Sequence, residues 1–152
     1  MQNWFGEVVD GTMQLWPVGQ IVADEWKKTE QIRPNVTIDQ WIIMPNHLHG
    51  IVVIHEPAIV ETHCDASLPP PNKQNKFGPQ RNNLASIIRG FKSTSTRRIH
   101  MAGCPEFAWQ PRYYDHIIRN EKSFNKIREY IANNVLQWEF DRNHPSGLID
   151  WM

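Results

Sequence analysis

The chain has 152 residues, 40% of them hydrophobic, and its 16 Lys and Arg balance 16 Asp and Glu to a formal charge of zero. That is enough chain for one domain with a sizeable core, which excludes a fully disordered polymer and a small disulfide-stapled module. No apolar run approaches the roughly 18 residues of a membrane span, no leader pattern opens the chain, and Cys64 and Cys104 form no CxxC, so a reduced, cytoplasmic protein is expected.

In chain order, Val8-Val9-Asp10-Gly11-Thr12-Met13 places an Asp-Gly pair between short apolar stretches and predicts a tight hairpin. Val18, Ile21, Val22 and Trp26 recur at helical spacing, and Pro34 lies beyond that helix. Val36 to Asp39 reads as a short strand or its approach. Trp41 to Ile54, apolar on both faces and rich in β-branched residues, predicts a buried strand. Pro45 within it implies a bulge or a junction of two strand pieces. The stretch at about 56–83 holds Pro57, Pro69, Pro70, Pro71 and Pro79 and reads as a long mobile loop. Asn83 can then cap a helix with Leu84, Ile87, Ile88, Phe91 and Ile99 as its apolar stripe. Phe107 to Asp115 is aromatic-dense and reads as a strand or strand-like approach. Asn120 caps a final helix whose stripe is Phe124, Ile127, Ile131, Val135 and Trp138, with Tyr130 at its margin.

The zero net charge conceals a segregation. Between Ala66 and Pro105 there is no acidic residue, and Lys73, Lys76, Arg81, Arg89, Lys92, Arg97 and Arg98 give +7, leaving −7 for the rest. Such a segment suits a polyanion, because each cation near a phosphate releases condensed counterions; a solvated helix face beside a loop is the plain alternative.

His47 and His49, one residue apart in a strand, place both imidazoles on one face about 7 Å apart at Cα, where they can chelate a divalent metal. Two half-buried histidines bonded to nearby backbone would look the same in sequence. His55 lies about 20 Å further along an extended strand and makes a poor third ligand. Taken alone, Tyr130 reads first as a core-margin tyrosine; the alternative is a nucleophile, which requires a cation to stabilise the phenolate. Asn134, one turn on, lies on the same face and could offer an amide oxygen.

Four ordered motifs carry a family resemblance. They are Met44-Pro45-Asn46-His47-Leu48-His49-Gly50, Ile88-Arg89-Gly90-Phe91-Lys92-Ser93, the run from Trp109 to Asn120, and Glu129-Tyr130-Ile131-Ala132-Asn133-Asn134. Together they resemble the HUH-type single-tyrosine transposases, in particular the REP-associated branch that handles repetitive palindromic DNA. The resemblance implies one α+β domain over 1–152, with a ferredoxin-like antiparallel sheet and helices packed on it. His47, His49 and Asn134 would be the metal-binding side chains, with Mg²⁺ or Mn²⁺ as cofactor, although two imidazoles by softness alone suit zinc. Tyr130 would attack the scissile phosphate of single-stranded, hairpin-forming DNA, giving a 5′-phosphotyrosine and a free 3′-OH. Arg89, Lys92, Arg97, Arg98, Arg112 and Arg119 would bind the DNA, with Trp109 and Tyr113 or Tyr114 stacking bases or packing the core. A nucleoid-associated protein is also implied, either a monomer or a homodimer, since relatives of both kinds occur. Two departures stand out. Family members usually begin with a further strand that this chain, starting at Met1, does not supply, and Val135 stands where proline is common. The alternatives are a relative that binds palindromic DNA without cutting it and an unrelated hydrolase built on His47 and His49.

Overall fold

A computed structural model describes residues 2–56 and 83–140. The first hairpin joins β1 (Gly6–Val9) to β2 (Thr12–Leu15). Asp10 and Gly11 form its turn with φ of 50° and 71°, the paired positive values that an Asp-Gly step tolerates and other residues resist. Helix α1 (Pro17–Ile32) follows, with proline in its first turn, where a missing N–H costs nothing.

A second hairpin pairs β3 (Val36–Ile43) with β4 (Leu48–Ile54). The run from Trp41 to Ile54 is therefore two pieces rather than one strand. Pro45 sits in the turn between them, and Met44 N donates to His47 O at 2.8 Å to close it. The register shifts between Ile38 and Trp41, which leaves Asp39 and Gln40 as a bulge in β3. Most side chains of this hairpin are half-buried, with Val36, Ile43 and Ile51 fully buried. The proline-rich loop at about 56–83 lies, apart from Glu56 and Asn83 at its ends, outside the described residues, as do Cys64, Lys73, Lys76 and Arg81.

Helix α2 (Leu84–Met101) starts at Asn83, whose side-chain oxygen accepts from Ser86 N at 2.9 Å. Helix α3 (Glu121–Asn133) starts at Asn120, which accepts from Ser123 N at 2.8 Å, and a 3-10 helix, Asn134–Phe140, continues it. Each cap satisfies an orphan donor and stabilises its helix by about 1 kcal/mol. Phe107 to Asp115, expected as a strand, forms none. Pro111 lacks an N–H, Phe107 turns back onto Cys104 O through its amide, and most side chains from Gln110 onward are exposed.

The described elements make an α+β structure whose strands pair as two separate antiparallel hairpins. Phe5 N donates to Pro45 O at 2.9 Å and Trp16 N to Phe5 O at 2.9 Å, so the approach to β1 ties the two together. The main core gathers Phe5, Val18, Val22, Ala23, Trp26, Ile43, Phe91, Ile99 and Phe107 between α1, α2 and the hairpins. Trp26 lies so close to β4 that a Cβ on Gly50 would meet its ring at 2.8 Å, which explains glycine there. A smaller core of Met44, Val135 and Trp138 joins the β3–β4 turn to the 3-10 helix, with Val8, Met13 and Ile42 packed against it. This second core fixes the end of α3 beside His47. Among the described residues no helix is long and apolar enough to cross a membrane.

Candidate active site

His47 occupies the last position of the β3–β4 turn and His49 lies in β4. Their rings meet edge to face, centroids 4.6 Å apart, with the two Nε2 atoms 2.9 Å apart. Asn46, almost wholly buried, places Oδ1 2.8 Å from His47 Nδ1. An amide oxygen only accepts, so His47 carries its proton on Nδ1 and turns a lone pair on Nε2 toward His49. In this arrangement His49 Nε2–H donates to that lone pair. Replacing the shared proton by a cation would give two nitrogen ligands, and 2.9 Å matches the about 3 Å between neighbouring ligands around one ion.

Tyr130 and Asn134 come from the junction of α3 with the 3-10 helix. The Tyr130 ring stands 5.6 Å from the His49 ring, edge to face, and is about half exposed. Asn134 is 3% exposed, and its Oδ1 is buried with no hydrogen-bond partner among the described residues. A buried amide oxygen left unpaired costs roughly 1–3 kcal/mol, which a bound cation would recover. The donor set of two imidazoles and one amide oxygen therefore fits a divalent ion. Among the described residues no group of three or more His, Cys, Asp and Glu is placed to hold a metal. His55 does not join the pair; its Nε2 lies 2.9 Å from Thr37 Oγ1.

Two cavities flank this centre. One, of about 360 Å³, is lined by Asn46, His47, His49, Lys92, Arg112 and Tyr114 among others. The other, of about 910 Å³, runs along one face of α2 past Arg89, Lys92 and Arg97, under Trp109 and Tyr113. Ile88, Lys92, Trp109 and Tyr113 belong to both walls. Lys92 Nζ donates to Gln110 O at 2.7 Å and lies 5.9 Å from the Trp109 and Tyr113 ring centroids. Burial lowers its pKa below the usual lysine value. Trp109 packs against Phe5, Phe91 and Phe107 and donates Nε1–H to Ser95 Oγ at 3.0 Å, so it serves the core while its edge lines both cavities.

The other expected DNA-binding residues divide. Arg98 turns to α1, where Nη1 meets Glu25 Oε1 at 2.6 Å and Nη2 lies 3.7 Å from Asp24. Arg119 is exposed and lines neither cavity. Asn46 was not singled out in the sequence; an asparagine after proline reads as a turn residue, and the one available signal was its place directly before the first histidine.

No protein-family model matches the chain, and no solved structure matches it. An uncharacterized protein of Haemophilus influenzae is 38% identical over 138 residues, covering 91% of this chain and 76% of that protein. The chain belongs to the same family as that protein. A REP-associated tyrosine transposase of Escherichia coli K12 is a more distant relative, 28% identical over 138 residues that cover 82% of this chain and 67% of the transposase.

Proposed function

We propose that the protein is a transposase-like strand transferase that cleaves and rejoins single-stranded, hairpin-forming DNA through Tyr130. The observation that carries this reading is three features drawn from two sequence-distant motifs. These are an imidazole pair with Nε2 atoms 2.9 Å apart, a tyrosine ring 5.6 Å from one of them, and an unpartnered buried amide oxygen one helical turn beyond that tyrosine. The transposase relative supports the same class of reaction. The ferredoxin-like sheet implied by the resemblance is part of this proposal.

His47, His49 and Asn134 would hold Mg²⁺ or Mn²⁺, which when bound supplies Lewis-acid polarisation of a phosphate. The chain's own groups do the rest. Asn46 fixes the His47 tautomer. The α2 groove, with Arg89, Lys92 and Arg97 beneath Trp109 and Tyr113, offers cations for the backbone and ring faces for bases. Tyr130 Oη attacks phosphorus, its proton leaves to solvent, the P–O3′ bond breaks, and a free 3′-OH departs with a proton. The reverse attack by a second 3′-OH releases the tyrosine, so the phosphodiester count is conserved and no energy source is needed.

A second reading, binding without cleavage, draws support from Tyr130 lining neither of the two cavities. Incubation with a 3′-labelled hairpin oligonucleotide and Mn²⁺, whose label stays on the fragment joined to the tyrosine, separates the two. The expected result is a covalent protein–DNA band on a denaturing gel that Tyr130→Phe and His47→Ala abolish while hairpin affinity persists. An undiminished band from Tyr130→Phe would transfer the role to another tyrosine, with Tyr114 on the histidine-lined cavity the first suspect; no band from wild type would leave binding alone.

A further inference from the structure

We propose that the ion pair between Asp39 and Arg128 is a latch that positions the Tyr130 helix against the histidine pair. The inference rests on the reading of Tyr130 as nucleophile and adds two positioning residues to it. Arg128 Nε lies 2.8 Å from Asp39 Oδ1. That carboxylate oxygen is buried and accepts no aligned hydrogen bond among the described residues, so the guanidinium charge is what balances it.

The need for such a contact follows from how thinly α3 is packed. Of its 13 residues, Ile131 alone is fully buried, while Phe124 and Ile127 are half-buried. Apolar contact is non-directional, so so small a face resists lifting of the helix but does little to fix its rotation or its position along its own axis. An ion pair to a single carboxylate does both. Arg128 is itself held, with its guanidinium 5.3 Å from the Phe124 ring centroid one turn earlier.

The strand side is equally specific. Asp39 falls in the β3 bulge, where the interrupted register re-aims a side chain that regular alternation would place otherwise. The bulge is anchored from behind, because Ile38 N donates to the Glu30 carboxylate of α1. Ile42, further along β3, pairs with His49. One rigid strand thus carries the latch and faces the histidine, while α3 carries Arg128 and then Tyr130, with Asn134 at its C-cap, all within about 9 Å along the axis. With Arg128 held at one end and Asn134 buried at the other, Tyr130 between them has a defined height over His49.

The test combines single-turnover adduct formation with hydrogen exchange, which needs no activity. At saturating hairpin DNA and Mn²⁺, Arg128→Gln and Asp39→Asn are expected to slow adduct formation about ten- to hundredfold, the effect of misplacing a reacting group by about 1 Å, with hairpin affinity unchanged. Amides of α3 should exchange faster while those of α2 keep their wild-type protection. Arg128→Lys, which retains the charge, should recover most of the rate, and the Asp39→Asn/Arg128→Gln double variant should be no slower than the slower single. Wild-type rate and wild-type α3 protection in Arg128→Gln would overturn the latch, as would a loss accompanied by faster exchange throughout α1 and α2. If wild type itself yields no adduct, the transposase reading fails, and faster exchange confined to α3 in both single variants still upholds the latch.

Discussion

Asn46 decides what the histidine pair can be. With the Asn46 amide oxygen accepting from Nδ1–H, neutral His47 cannot move its proton to Nε2 without losing a buried hydrogen bond, so the tautomer that a metal would need is favoured in the absence of an ion. Asn46→Ala is expected to weaken Mn²⁺ binding about tenfold, measured by the free-ion electron paramagnetic resonance signal, with little change in hairpin affinity. Equal Mn²⁺ affinity in variant and wild type would show that the tautomer is held by something else. His47 and His49 were legible in the sequence as a closely spaced pair, although both were expected within a strand, whereas His47 lies in the turn and only His49 in β4. Asn46 was not, because its part depends on the turn that Met44 and His47 close, and that turn exists only once β3 and β4 pair. Tyr130 and Asn134 were legible as an i, i+4 pair. That the amide would be buried and the phenol half exposed depended on the Met44, Val135 and Trp138 cluster, which joins residues some 90 positions apart.

At the level of elements, what was legible has a local cause. The Asp10-Gly11 turn and the caps at Asn83 and Asn120 each rest on a few consecutive residues, and each appears where the sequence puts it. Asp39 and the stretch after Phe107 were illegible because a bulge and an unpaired segment are properties of what lies alongside. The same holds for Arg98, which in sequence is one more cation of a basic run and in the fold is the partner of Glu25 on α1. Burial alone would raise the Glu25 pKa, but hydrogen bonds from Arg98, Lys28 and Thr94 outweigh it and hold the carboxylate below the ordinary 4.5. A carboxylate more acidic in the folded than in the unfolded chain stabilises the fold above its unfolded pKa, and the contribution disappears as pH falls through the folded value. Thermal stability of wild type should therefore decline below about pH 4.5 more steeply than that of Glu25→Gln, which has no charge to lose. Parallel melting-temperature profiles for the two between pH 3 and 6, the range where carboxylates titrate, would show that the α1–α2 pair carries no such stabilisation.

Over the whole molecule, the balance of 16 cations and 16 anions is a poor guide to where a polyanion could lie. The basic segment between Ala66 and Pro105 divides in the fold: Arg89, Lys92 and Arg97 line the α2 groove, whereas Arg98 is spent on α1. If the chain binds DNA as proposed, this division predicts which cations set the salt dependence. Each phosphate contact on a single strand contributes a slope of about −0.7 to the logarithm of affinity against the logarithm of salt. Arg89→Ala and Arg97→Ala should each reduce the slope by about 0.7 and leave the fold's stability near wild type. Arg98→Ala should leave the slope unchanged and destabilise the fold by about 1–3 kcal/mol, because it strips a charged hydrogen bond from a buried carboxylate that Lys28 still partly compensates. Fluorescence anisotropy of a labelled hairpin across a salt series, with a denaturation curve for each variant, measures both quantities. A slope that falls as much in Arg98→Ala as in Arg97→Ala would mean that DNA pulls Arg98 away from Glu25, and binding would then be coupled to the packing of α2 on α1.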